Sequence, residues 1–372
     1  MNVNKERLIK EFQKMVSIDS PTHGEREMGT YIKNRMQTLG FQIEEDDASI
    51  RVGGNCGNIN GFLPGTIEGE PILFSGHMDT VEPSSGKRAV IHPDGKITSA
   101  GDTILGADDA AAIAEILEAV ESIQEQGVDY PPIEVLFTVA EEIYCRGADV
   151  FDYSKIKSKM AYVFDLAGEI GIAANKAPAI VSFKSIIRGL ASHAGFAPEE
   201  GRHAILTASN AITRLKMGRI NEDSVVNIGL INGGIATNII PDFCEVKGEI
   251  RSYRQDEAEQ LIHTVQNIFE SAADEMGTSV DFSYRFDCYP YFHAEDRPVI
   301  RLFQEVCKEM GLSGSLVPSF GGSDNNIFAK KGIEGIVVAN GMNQCHSLDE
   351  YTSIDDLYQA SVLAARLMLF RG

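Results

Sequence analysis

Apolar residues along the first half of the chain fall alternately at helical and strand spacing. Leu8, Ile9, Phe12, Met15 and Val16 share one helical face over 4–17. Met28, Tyr31, Ile32, Met36 and Leu39 do the same over 25–39, where Gly40 is placed to stop the helix. Short apolar runs at 41–45, 58–63, 71–76, 133–139 and 160–165 read as strands. Among them lies an Ala-rich helical stretch, 109–126, with Ile113, Ile116, Leu117 and Val120 on one face. Strands alternating with helices predict a layered α/β domain.

The pattern changes at 174–178. Residues 179–189 read as a strand, 200–216 as a helix, 224–232 and 242–253 as strands, 255–276 as a helix and 278–287 as a strand. That order, β-α-β-β-α-β, is ferredoxin-like. After Arg297-Pro298, a helix at 298–310, a strand at 333–339 and a helix at 354–370 return to the first style. The expected fold is α/β: a main domain of mixed sheet and flanking helices from 1–177 and 296–372, interrupted by a smaller α+β domain over 178–295.

The 372 residues suit about two domains. A net charge of −21, from 54 acids against 33 bases, repels phosphate backbones and anionic lipid, so neither nucleic acid nor membrane is an expected partner. No apolar run approaches a membrane span, and the first residues carry no secretory pattern, which makes the cytoplasm the expected location. Cys56, Cys145, Cys244, Cys288, Cys307 and Cys345 form no C-x-x-C pair and read as reduced, mostly buried thiols.

Chemistry concentrates where apolar runs stop. His77 and Asp79 follow the run 71–74, and residues i and i+2 of a strand share a face, which suits an imidazole oriented by a carboxylate. Gly106-Ala107-Asp108-Asp109 opens the Ala-rich helix. Glu141-Glu142 follows the strand 135–139, Asp165 ends 161–164, and His346 lies just past 336–339. In α/β sheets, sites gather at such strand ends. His23, His92, His203, His263 and His293 fit no such position and read as structural or exposed.

The ordered set Ser75-Gly-His-Met-Asp-Thr-Val81, Gly106-Ala-Asp-Asp109, Ala140-Glu-Glu142, the lone Asp165 and Cys345-His-Ser347 resembles the co-catalytic zinc peptidase and deacylase family. That family includes peptidase T, glutamate carboxypeptidase and acetylornithine deacetylase, and the likeness is nearest to peptidase T-like tripeptide aminopeptidases. The resemblance implies a zinc-peptidase-like catalytic domain with two zinc ions, for which Co or Mn could substitute. His77 and Asp165 would hold one ion, Glu142 and His346 the other, and Asp108 would bridge. Asp79 would orient His77, Glu141 would be the general base, and the Asp108-Asp109 peptide would be cis. A water activated by the metals would attack the amide bond of a short peptide, releasing the N-terminal residue of tripeptides. The alternatives are a deacylase of N-acyl amino acids and an inactive homologue serving as a binding module.

In the inserted domain, His193 within Ala191-Ser-His-Ala-Gly195 resembles the residue that reaches the other subunit of a homodimer, which implies dimerisation through that domain. Asn238 and Arg251 resemble substrate-holding residues. Arg251 can grip a carboxylate bidentately or form an ion pair within an edge strand. Gly322, in Gly321-Gly-Ser-Asp324, reads as a pocket-lining turn or as the approach to a helix cap. Two departures from the family pattern are Ala110, where lysine is common, and a length short of the longer peptidase T chains.

Overall fold

A computed structural model describes residues 1–369. They form two compact units: Met1–Lys176 with Phe292–Ser319 and the chain from Ser323 onward, and Ala177–Tyr291 with Phe320–Gly322.

The first unit is built on a mixed sheet whose strands run in the order Gln42–Glu45, Ile59–Leu63, Ile133–Thr138, Ile72–His77, Met160–Leu166, Glu334–Ala339 and Ile172–Ala177, with Ser315–Pro318 also paired to the last. Ile72–His77 is parallel to both neighbours, with His77 opposite Thr138 and Phe74 opposite Tyr162. Glu334–Ala339 continues the parallel group. All six residues of Ile72–His77 and of Ile133–Thr138 are buried. Parallel strands covered on both faces need continuous apolar runs, which is why these segments show no alternation. The C-terminal ends of four strands thus lie along one edge, and His77, Asp165 and the Glu141-Glu142 pair emerge there.

The helix Ala107–Glu125 lies against Ile72–His77 and packs on the helices Lys5–Val16 and Ile354–Met368. Its alanines at 110–112, 114 and 119 are buried and let it approach the sheet closely. Gly76 completes that approach: a Cβ there would stand 2.6 Å from Asp109 Oδ2 and 2.9 Å from Ala112 Cβ. The expected helix at 354–370 spans Ile354–Met368, and residue 370 lies outside the described residues.

In the second unit the strands run in the order Gly218–Arg219, Ser224–Gly233, Phe243–Ser252, Ala179–Arg188 and Ser279–Cys288. The four long strands are antiparallel, in the order a ferredoxin-like β-α-β-β-α-β chain requires. Ala208 and Ala211 of one helix and Ile262, Val265 and Phe269 of the other share a core with Val181, Ile187, Val246 and Ile250 of the sheet. The first helix starts at Ala204, later than the pattern indicates, because 198–200 forms a 3₁₀ turn and His203 Nδ1 caps Leu206 N.

Two features differ from expectation. Phe243–Ser252 has partners on both sides, so Arg251 is on an interior strand, not an edge. A small sheet of Ala89–Ile91, Lys96–Ser99 and Tyr351–Ser353 was not visible in the pattern, because strands this short carry too few positions to show a period. No described helix is long and apolar enough to cross a membrane.

Candidate metal centre

The five histidine and carboxylate side chains from distant segments converge at the C-terminal edge of the parallel strands. Asp108 is central: its Oδ1 lies 3.0 Å from His77 Nε2 and its Oδ2 lies 3.3 Å from His346 Nε2. Asp165 Oδ1 is 3.9 Å from His77 Nε2, and Glu142 Oε2 is 3.0 Å from His346 Nε2. His77 and Asp108 are buried, while the side chain of His346 is 55 % exposed and sits at the rim, with the backbone at φ +61°.

These separations, 3.0 to 3.9 Å, bracket what cations would require. Nitrogen and oxygen atoms about 2.0–2.1 Å from a tetrahedral ion lie roughly 3.3–3.4 Å from one another. Glu142 Oε1 is buried and has no hydrogen-bond partner among the described residues, a cost that a cation would remove. Left to themselves the acids repel. Burial, then the Asp108, Asp109 and Glu142 carboxylates, push the Asp165 carboxyl well above its ordinary range. Burial and Asp108 raise Glu142. Asp108 is also penalised by burial, but hydrogen bonds from His346 and His77 hold it below the ordinary carboxylate range. The same bonds to Asp108 and Glu142 raise His346 to about 10. Oxygen and imidazole donors without thiolate are a donor set for Zn²⁺, Co²⁺ or Mn²⁺.

Other buried acids hold the backbone that carries these side chains. The Asp79 carboxylate accepts from the Glu141 and Glu142 amides at 2.9 and 3.2 Å and from the Thr22 hydroxyl at 2.8 Å. It stands 3.6 Å from His77 Nδ1, which lies closer, 2.9 Å, to the main-chain carbonyl of Asp79. Glu25 Oε1 accepts from the Ala140 amide, so consecutive amides 140–142 are all held by carboxylates. Asp109 Oδ2 accepts from the His77 amide, and the Asp108-Asp109 peptide is cis. The Glu350 carboxylate accepts from the amides of Gly106 and Asp108. Glu25 and Glu350 escaped the sequence reading as participants. For Glu350 the available signal was its place four residues after His346; Glu25, remote in the chain from every candidate ligand, carried none.

Glu141 lies beside Glu142 with Oε1 accepting from the Cys145 thiol at 3.2 Å. Burial, then Asp165, Asp324 and Glu142, raise its carboxyl well above the ordinary range.

The remaining residues singled out in the sequence belong to the second unit. His193 is exposed, its ring tilted at 34° to that of Phe196 with centroids 4.3 Å apart, and its Nδ1 accepts from the Gly195 and Phe196 amides. Asn238 is brought beside it: the Asn238 carbonyl accepts from Ala194 N, and Ser192–His193 pairs with Ile239–Ile240. The Arg251 guanidinium is bidentate to Glu249 and donates to the Phe320 carbonyl. Gly322 leaves no room for a side chain, with Ile180 Cδ1 2.7 Å from the Cβ position. Ser323, in the first unit, forms a capping box with Asn326 at the start of Asp324–Lys330.

Comparison with known proteins agrees with this arrangement. The profile of peptidase family M20/M25/M40 matches residues 73–369. Uncharacterized protein YqjE of Bacillus subtilis (strain 168) is 34 % identical over 367 residues, covering 98 % of both chains. The crystal structure of a tripeptidase from Staphylococcus aureus superposes with a TM-score of 0.94 at 30 % identity, over 99 % of this chain and 98 % of that one. That of aminopeptidase PepT from Bacillus cereus ATCC 10987 does so with a TM-score of 0.89 at 35 % identity, over 98 % of each. The chain therefore belongs to peptidase family M20/M25/M40, close to its peptidase T-like members, and is a hydrolase of the metallopeptidase class.

Proposed function

We propose that the protein is a dizinc aminopeptidase that removes the N-terminal residue of short peptides, tripeptides foremost. The observation that carries the metal reading is the Asp108 carboxylate, whose two oxygens face two different imidazoles, His77 and His346. His77 and Asp165 would hold one ion, Glu142 and His346 the other, and Asp108 would contribute to both. When bound, such a pair lowers the pKa of a water from 15.7 toward roughly 7 and polarises the scissile carbonyl.

The chain's own groups supply the rest. Glu141 has a raised proton affinity, as a general base needs. Glu141 takes the proton of the attacking water and returns it to the leaving amine. Asp79 holds the amides of both Glu141 and Glu142, which keeps the base and the ligand in fixed relation. In the second unit, Nδ1 of His193 is occupied by amides, so Nε2 is the nitrogen presented outward to a substrate oxygen. Asn238, Arg251 and Gly322 would hold the substrate backbone or its carboxylate.

The tripeptide preference is supported by two solved structures at 30 % and 35 % identity, described as a tripeptidase and as aminopeptidase PepT. Hydrolysis rates on a panel of tripeptides and acetylated amino acids test it. Cleavage confined to the acetylated compounds would replace the aminopeptidase with a deacylase. A metal-loaded chain inert on both would leave a binding protein.

The protein is also proposed to be a homodimer through the second unit, where Leu230 and Ile231 are 57 % and 49 % exposed on the strand Ser224–Gly233. Light scattering at the monomer mass would remove that assembly, and with it the action of His193 across subunits.

A further inference from the structure

Glu350 is 1 % exposed, yet neither of its carboxylate oxygens touches a basic side chain among the described residues. Oε2 accepts from the Gly106 amide at 2.7 Å and Oε1 from the Asp108 amide at 2.9 Å. Those amides belong to the turn that precedes the regular helix: within Ala107–Glu125 the backbone leaves helical geometry at Asp108 (φ −80°, ψ 97°) and Asp109 (φ −126°, ψ 31°), and Gly106 has no side chain to offer them. Buried main-chain amides outside regular structure need an acceptor, and the carboxylate supplies it. Here that cap comes from 244 residues further along the chain.

Where Glu350 is anchored gives this cap a consequence. Asn343 and Tyr351 exchange main-chain hydrogen bonds of 2.9 and 3.0 Å, closing a loop that contains both His346 and Glu350. Tyr351–Ser353 is held in turn by pairing with Lys96–Ser99. Glu350 therefore joins the loop bearing His346 to the turn bearing Asp108, whose Oδ2 lies 3.3 Å from His346 Nε2. Of the five proposed ligands, His346 alone is on an exposed side chain with a left-handed backbone.

We propose that Glu350 is a positioning residue for the metal centre: by holding the Gly106 and Asp108 amides from the His346 loop, it sets the spacing across which the ion shared by Asp108, Glu142 and His346 is bound. This rests on the dizinc reading above. It differs from a plain stabilising cap in one respect: losing it weakens metal binding, and weakens one ion more than the other. Groups that orient metal ligands are typically worth 10–100-fold in affinity.

The test is Zn²⁺ titration of the full-length, metal-free chain, followed by calorimetry, for the wild type, Glu350→Gln and Glu134→Gln. Glutamine preserves the size of Glu350 but turns an NH₂ toward one of the two amides, which removes that bond. Glu134 is the control. It too is a buried carboxylate, accepting from the Lys157 and Ser158 amides, but it lies near the far end of the strand Ile133–Thr138. The wild type is expected to bind two ions. Glu350→Gln should bind the weaker of them 10–100-fold less tightly while the tighter changes less. Glu134→Gln should lower the melting temperature with both affinities kept. Unchanged affinities in Glu350→Gln, or equal losses in the two variants, overturn the inference and leave the dizinc reading standing. A wild-type chain that takes up no Zn²⁺ overturns both. Should Glu350→Gln fail to fold, the same titration of Glu350→Asp decides: a loss confined to the weaker ion supports the positioning role, and unchanged affinities for both ions refute it.

Discussion

The general base gives the sharpest test of the proposed chemistry. In Glu141→Gln the side chain keeps its volume, and its amide oxygen can still accept from the Cys145 thiol that lies 3.2 Å from Oε1. What is lost is the oxygen that accepts a proton. The substitution also removes one acid from a buried group in which Asp165, Asp324 and Glu142 all raise its proton affinity, so the metal-free fold should be no less stable. A positioned base contributes about 10²–10⁴ in rate, or roughly 2.7–5.4 kcal/mol of barrier at 1.36 kcal/mol per decade. We expect kcat on a tripeptide to fall by about that factor while the chain retains two metal ions. Both are read from one preparation, by chromatography of the released amino acid and by elemental analysis after desalting. The metal count matters because Glu141 also offers an oxygen within 4.8 Å of ligand atoms of His77 and Asp165, so exchange of its role with that of Glu142 is geometrically open. Loss of an ion together with activity would assign Glu141 as the ligand. A kcat within tenfold of wild type would remove it from the chemistry.

Glu25 should make the metal-free protein lose stability with rising pH: burial and then Asp79 raise its carboxyl from 4.5 to about 7, so the folded chain binds this proton more tightly than the unfolded one. Its contribution is full below pH 4.5 and is lost as the pH passes about 7, on the order of 3 kcal/mol in all; urea melts of the wild type and of Glu25→Gln across that window should differ in slope, and parallel curves would refute the assignment. Gly76→Ala places a methyl 2.6 Å from Asp109 Oδ2, which accepts from the His77 amide, and should cost about 1–3 kcal/mol and weaken Zn²⁺ binding together. An unaltered melting temperature would mean that helix and strand part without resistance. Arg7→Met takes the cation from the Glu118 carboxylate, which is 1 % exposed, bonded to Arg7 at 2.6 Å and left with the Asn4 amide and the Ser122 hydroxyl, and should destabilise by about 3 kcal/mol without changing kcat. A drop in kcat with unchanged stability would contradict it.

What the sequence disclosed and what it withheld follow from different physics. A side chain that serves a site at the edge of a parallel sheet stands just after a continuous apolar run, so the proposed ligands His77, Glu142, Asp165 and His346 were marked by where hydrophobicity stops. The β-α-β-β-α-β succession was legible because its strands are ten residues long and its helices amphipathic, with room for a period to show. Asp324–Lys330 has only seven residues and was signalled by its Ser323 cap alone. The clamping carboxylates obey no such rule. Glu25, Asp79 and Glu350 accept from main-chain amides, and every residue but proline offers one, so neither partner carries a side-chain signature. Asp79 was noticed for its spacing from His77, yet its carboxylate makes its closer bonds to the amides of Glu141 and Glu142. An acid within a few residues of a ligand should therefore be weighed first as a holder of another ligand's backbone. That assignment needs only one amide in reach, whereas a direct side-chain role needs a partner of the right kind at the right distance.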